Sequence, residues 1–198
     1  GVWPWLIGGL VCSVALAVLG WMVLLPSAVQ AKLAAATGGQ FQVEGLMGDP
    51  FGGRATTKGW TLRATAAPGA PLLAHGTAAE IVASDWRAAL SEEGTDTVVI
   101  DRLDLKVTEA VLAPDTNGTW RLLTLAAGAG LPYERDGKVG ETTARVRIKL
   151  LRLRVETLIV RDAKTNLETP VRIAWSGEFR DVDHTRPIVA ALLAAAAR

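Results

Sequence analysis

From Trp5 to Leu25 the chain runs for 21 residues without a charge, as WLIGGLVCSVALAVLGWMVLL. An α-helix rises ~1.5 Å per residue, so this run would be roughly 31 Å long, about the hydrocarbon thickness of a bilayer. Pro4 suits a first helical turn, where its missing N–H is least felt. Trp3, Trp5 and Trp21 bracket the run, where membrane helices carry their interfacial aromatic residues. Pro26 closes it. Val29-Gln30-Ala31 resembles a signal-peptidase site, but the apolar run exceeds a usual signal-peptide core. The reading is therefore a single-pass transmembrane anchor over residues 3–26. Cys12 has no lipobox before it and reads as a small apolar helix residue. The span holds no histidine and no charge, so it offers no obvious ligand for haem, pigment or protons.

The 198 residues suffice for one ordinary domain plus such an appendage. Lysine plus arginine number 21 and aspartate plus glutamate 20, a net charge of +1. That balance gives no case for a nucleic-acid partner. A single cysteine excludes an intrachain disulfide and a thiolate metal cluster. The two histidines, His75 and His184, are far apart in sequence.

After the anchor, alanines over residues 27–39 predict a short juxtamembrane helix stopped by Gly38-Gly39. Residues 40–184 then read as sheet. Phe41 and Val43 alternate with Gln42 and Glu44; Leu103, Leu105 and Val107 with Arg102, Asp104 and Lys106; Val171, Ile173 and Trp175 with Arg172, Ala174 and Ser176. This period of two marks strands with one apolar face. Turn signals separate them at 67–71, 92–94, 114–118 and 134–137. A short helical interruption is expected at 84–90. A terminal helix is expected over 185–198, capped by Thr185. In ARVRIKLLRLRVET the apolar phase flips at Leu150-Leu151, which predicts a β-bulge there.

Candidate chemistry is sparse. VEGLMGDPFGG (43–53) is glycine-rich, but no helix follows to offer its N-terminus to a phosphate, and RATTKGWTLRA alternates as a strand. The stretch reads as a hairpin turn, with strand two running through Trp60 and Leu62. No Gly-x-Ser-x-Gly, His-Glu-x-x-His or Cys-x-x-Cys occurs. Glu92-Glu93, Asp181 and Asp183 lie in polar, turn-like runs, and nothing in the sequence suggests a catalytic cleft around them. The expectation is no enzyme: no catalytic residue, no metal, no cofactor and no small-molecule substrate. Arg145, Arg147, Lys149, Arg152 and Arg154 form a basic stripe. It is either a solvated face balanced by acids on the next strand, or a contact for lipid headgroups or an acidic partner.

The order of these segments resembles the N-terminal part of AsmA-like envelope proteins. The likeness rests on the membrane helix, AAATGGQFQVEGLMGDPFGGRATTKGWTLRA, AAEIVASDWRAAL, VVIDRLDLKVTEAVLAPDTNGTWRLLTL and VRIKLLRLRVETLIVRD, and covers roughly residues 3–180. The resemblance implies a mainly β fold: a twisted, U-shaped or taco-like antiparallel sheet with short flanking helices and a Gly-Trp-like strand after the Ile-Asp-Arg-Leu strand. It implies an apolar groove, for which Phe41, Val43, Leu103, Leu105, Ile148 and Val171 are the candidates. It implies the bacterial inner membrane, with the soluble part in the periplasm, and lipid movement or outer-membrane assembly as the activity. At ~4.8 Å between strands, eight to ten strands give only ~40–50 Å of sheet, too little to bridge two membranes. The favoured expectation is therefore a non-catalytic accessory subunit that binds and stabilises a larger membrane complex, its partners being membrane lipid and other membrane-protein subunits. AsmA-like lipid handling is the alternative.

Overall fold

A computed structural model describes residue 31 and residues 41–49, 52–85, 97–114, 120–128, 130–132, 134–135, 138–139 and 146–197. The expected anchor (3–26), nearly all of the 27–39 helix and most of the 84–90 helix lie outside the described residues. Among the described residues no helix is long and apolar enough to cross a membrane.

The fold is mainly β, as the alternation predicts. The strands are β1 Phe41–Glu44, β2 Met47–Asp49, β3 Arg54–Thr57, β4 Gly59–Arg63, β5 Leu72–Gly76, β6 Ala78–Val82, β7 Val98–Ile100, β8 Arg102–Leu112, β9 Glu134–Arg135, β10 Lys138–Val139, β11 Val146–Arg161 and β12 Glu168–Val182. Among the described residues two helices accompany them, α1 Arg121–Gly128 and α2 Arg186–Ala196. β9 and β10 form a separate small hairpin, and the other ten strands make one sheet.

Those ten strands merge into six ribbons. β1 pairs β4 from Phe41↔Leu62 to Glu44↔Gly59, and β2 pairs β3 from Met47↔Thr56 to Asp49↔Arg54. The register is unchanged across the gap, so β1–β2 and β3–β4 are the arms of one hairpin, closed by the pair Asp49↔Arg54 on either side of the predicted turn. The same continuity holds where β3–β4 meets β5–β6, and where β5–β6 meets β8. The ribbons lie side by side in chain order, antiparallel except at one seam. There β11 runs parallel to β7 and β8. A parallel neighbour needs a long crossover, and the 113–145 segment that contains α1 supplies it. Segment 121–128 is therefore helix, not the strand the resemblance implied. Leu122, Leu123 and Ala126 recur at helical spacing on one side of it.

In a flat strand, residues on one face are an even number apart. Here the inner apolar residues break that rule in concert. Ile100 and Leu103, Ile148 and Leu151, and Phe179 and Val182 are each three apart, yet all six belong to one apolar cluster. Val107 and Ala110, and Val155 and Leu158, likewise share the second cluster, with Trp60 and Ala74. Two breaks therefore cross the sheet and turn each strand so that the same face stays apolar. Ile188 of α2 packs on both clusters, which places them on one side of the sheet.

This corrects the bulge expected at Leu150-Leu151. The phase does flip there, but the register against β12 runs through unchanged, from Ile148↔Val182 to Leu150↔Arg180 and Leu151↔Phe179. No extra residue is needed because the neighbouring strands turn together: the chain bends at Asp101 between β7 and β8, and Asp181 takes φ 51° on β12. The true register shift lies further along, between Val155 and Thr157, where β12 inserts one residue beside Ala174 at φ 41°. That is a β-bulge, and the left-handed φ is its local cost.

Leu73 and Leu158 are each 1% exposed. Full burial of such a side chain contributes about 1.5–3 kcal/mol. Phe41 stacks on Trp60 at 5.8 Å between ring centroids, and Trp175 and Phe179 close over Gly177. The β11–β12 turn is held by Asp162, whose carboxylate accepts from the backbone N–H of Lys164 and Thr165 at 2.7 and 3.0 Å.

Candidate functional site

The inner face of the sheet, α1 and α2 enclose an apolar hollow of about 280 Å³. Leu103, Leu105 and Leu112 of β8 and Ile148, Leu151 and Leu153 of β11 form its floor. Leu122, Leu123 and Ala126 of α1 form one wall, and Ile188, Val189, Leu192 and Leu193 of α2 the other. Ile148 and Leu151 lie on either side of a sheet break. Without the break one of them would point to the opposite face, and the floor would be incomplete.

The surface that faces this space is carbon throughout. Thr185 is 5% exposed, the buried polar residue of the described core, and lines the hollow. Its backbone is satisfied: its N–H donates to the Pro132 carbonyl at 3.0 Å, and its own carbonyl accepts from Ile188 and Val189 at 3.1 Å. Its hydroxyl has no partner. Thr185 stands at the N-cap of α2 as predicted, but with a helical backbone (φ −84°, ψ −12°) and no side-chain cap bond. A capping residue usually needs an extended backbone to turn its oxygen onto the first turn.

Of the six groove candidates, Leu103, Leu105 and Ile148 line the hollow. Phe41 and Val43 pack on the larger cluster, outside the hollow lining. Val171 is half-buried on β12 opposite Leu158 and belongs to neither cluster. The helix walls and Thr185 were not foreseen as site residues. Leu192 and Leu193 were legible as an apolar helix face, but α1 was hidden behind its expected strand.

The basic stripe lies on the opposite, charged face. Arg147 pairs with Asp181 at 2.8 Å, Lys149 with Asp101 at 2.6 Å and Arg152 with Glu178 at 3.1 Å. Arg154 is exposed, and Arg145 lies outside the described residues. Acids on neighbouring strands thus neutralise most of the described stripe, the arrangement expected of a solvated face. Glu80 adds a further cluster with Arg54 and Arg102. Asp101 also accepts from the Ser84 N–H at 2.7 Å and from its hydroxyl. The Lys149 ammonium, with these bonds, lowers the Asp101 carboxyl to about 2. Asp183 is held below the usual carboxylate range chiefly by His184, whose ring nitrogen lies at 2.6 Å. Among the described residues no three His, Cys, Asp or Glu side chains gather as a metal site. Trp3, Trp5 and Trp21 lie outside the described residues.

Comparison with protein-family models, with curated proteins and with solved structures gives no match.

Proposed function

We propose that this protein is a non-catalytic, single-pass membrane-anchored β-domain that holds one hydrocarbon chain in the hollow beneath α1 and α2. The carrying observation is the lining: leucine, isoleucine, valine, alanine and Trp120, with one threonine. Ligand pockets usually measure ~300–1,000 Å³, so a volume near the lower bound suits a single chain better than a two-chained lipid. The uncharged Trp5–Leu25 run supports an anchor that would keep the hollow near its lipid supply. The AsmA-like order of segments supports the bacterial inner membrane and a periplasmic domain. The test is lipid extraction and mass spectrometry of the full chain purified in native-membrane particles. About one hydrocarbon-chain lipid per protein is expected, and its loss in Ala126→Phe, which fills the hollow. Protein free of lipid, or lipid retained equally by a folded Ala126→Phe variant, would overturn the reading.

A second reading has its own observation. From Pro187 to Ala197 α2 carries no charge or polar side chain, and none of its residues is fully buried. A helix apolar all round normally has apolar surroundings on every side. This favours an accessory subunit whose α2 packs against a larger membrane complex. Cross-linking from Ala190 or Ala194 in intact membranes should then trap a second protein chain; trapping lipid alone would argue against it.

A further inference from the structure

β12 forms one edge of the sheet: among the described residues it pairs with β11 alone. The backbone N–H and C=O groups on its free side are a template for a further strand, and proteins usually blunt such an edge with short strands, proline or bulges. The opposite edge is blunted in this way, since β1 and β2 are four and three residues long and Gly45 between them takes φ 61°. β12 is blunted only in part. Pro170 lies near its start, and the bulge at Ala174 and left-handed Asp181 interrupt it further on. Between these two, Trp175–Arg180 pairs residue for residue with β11, from Val155↔Trp175 to Leu150↔Arg180. We infer that this stretch is a homodimer interface: it pairs antiparallel with the same stretch of a second copy of the chain, about a two-fold axis at Gly177. The inference goes beyond the hydrocarbon reading and does not rest on it.

Face and charge select the axis. Trp175 and Phe179 pack on the inner apolar clusters, while Glu178 reaches Arg152 on the charged face. A self-pairing must keep those two faces in line. Two such registers fit within the regular stretch. One, over Ser176–Arg180, is centred on Glu178 and sets that carboxylate against its own copy. The other, over Trp175–Phe179, is centred on Gly177. It sets Trp175 opposite Phe179 of the second copy and Ser176 opposite Glu178, each twice. Aromatic cross-strand pairs are favourable and like charges directly opposite are not, which selects the second register. Trp175 and Phe179 already stand 6.0 Å apart over Gly177, where a Cβ would meet the Trp175 ring at 2.4 Å. In the dimer four rings gather over two facing glycines, and each Ser176 hydroxyl donates to a Glu178 carboxylate. A surface that complements itself about an axis makes an isologous contact, whose partner is a second copy.

The test is sedimentation equilibrium of the detergent-solubilised full chain, which should show a reversible monomer–dimer equilibrium. Ser176→Glu should weaken the dimer about tenfold, because the new carboxylate would face Glu178 of the second copy at two places. Its own fold is supported by Arg154, opposite it on β11. Ser176→Arg, facing the same Glu178, should keep the dimer. Cross-linking reads the register. In a Cys12→Ala background, a Ser176→Cys chain mixed with a Glu178→Cys chain should oxidise to a disulfide-linked dimer, since directly opposed Cβ atoms lie ~4.5–5.5 Å apart. A chain that stays monomeric would overturn the proposal. So would a dimer that Ser176→Glu leaves unchanged, because the contact would then lie elsewhere. Glu178→Cys chains that link to one another faster than to Ser176→Cys chains would refute the axis at Gly177. A different protein trapped at Ser176→Cys in intact membranes, with no homodimer, would overturn the choice of partner.

Discussion

Gly76 ends β5 where that ribbon crosses the sheet break between Val107 and Ala110, opposite Trp60 on β4. A Cβ built there would stand 1.8 Å from the Lys106 carbonyl oxygen and 2.6 Å from the Trp60 indole nitrogen. The first of these is backbone and cannot swing aside. Gly76→Ala must therefore both push β5 away from β8 and displace the Trp60 ring. The adjacent β5–β8 pairing comprises Ala74↔Ala110 and His75↔Glu109. Losing two ladder bonds costs about 2 kcal/mol at ~1 kcal/mol each. Trp60 is 5% exposed and stacked on Phe41. Removing a buried tryptophan altogether costs roughly 3–5 kcal/mol, so partial expulsion costs about 1–3. The sum is about 3–5 kcal/mol, or roughly 6–20 °C in Tm for a domain of ~150 residues. Gly69→Ala is the control. Gly69 takes φ 78°, and nothing lies within 4 Å of its Cβ position. Only left-handed strain remains there, ~1–2 kcal/mol. Thermal unfolding of the detergent-solubilised full chain, followed by tryptophan fluorescence, measures both. If Gly76→Ala loses no more than Gly69→Ala, the close approach of the ribbons at the break is wrong.

Leu158→Ala should cost about 2–5 kcal/mol in urea unfolding, because its side chain is 1% exposed at the centre of the larger cluster. Asp101 should make stability pH-dependent. Its folded pKa of about 2 lies below the unfolded value of ~3.9, so its stabilisation is complete above pH ~4 and fades as pH falls toward 2. The gap bounds the effect at about 2.5 kcal/mol; Lys149 is 56% exposed, and screening reduces it to about 1 kcal/mol. Wild type and Asp101→Asn should differ by that amount at pH 6 and converge near pH 2. A double-mutant cycle on Arg152 and Glu178 should give a coupling below ~1 kcal/mol, since both side chains are about half exposed.

The alternation of Phe41–Glu44 and Arg102–Val107 is enough to read a sheet, because each lies within one unbroken stretch of strand; Val171–Ser176 alternates just as regularly in sequence, although the bulge at Ala174 interrupts it. The Leu150-Leu151 flip was also legible, but its remedy was not. A single strand shows only its own parity change. Whether that change is absorbed by one extra residue or by a turn shared with both neighbours depends on pairing across the sheet. The parallel seam between β8 and β11 was hidden for the same reason. The hollow was half legible: Leu103, Leu105 and Ile148 belong to recognisable strands. Its roof depended on α1, whose eight residues follow a turn signal and a tryptophan that also suit a strand. Thr185 reads as a helix cap from its position before Arg186-Pro187. Its backbone angles, which no sequence pattern displays, send the hydroxyl elsewhere.

The break between Ile148 and Leu151 and the hollow are one piece of structure seen from two sides. On the inner face the break brings Ile148 and Leu151 into the same floor. On the outer face it leaves Asp101 at a bend between β7 and β8, bonded to Lys149 of β11 and to Ser84 beyond β6. Asp181 marks the same level on β12, and Arg147 holds its carboxylate. Three ribbons are thus tied across the break by charges on the wet side, while their apolar residues are rotated inward on the dry side. Each bond is modest because it is exposed. Their placement matters more than their strength, since a sheet that straightened here would turn either Ile148 or Leu151 away from α2. The acids that neutralise the basic stripe therefore have a structural reason to be where they are. What the charged face secures is the shape of the apolar one.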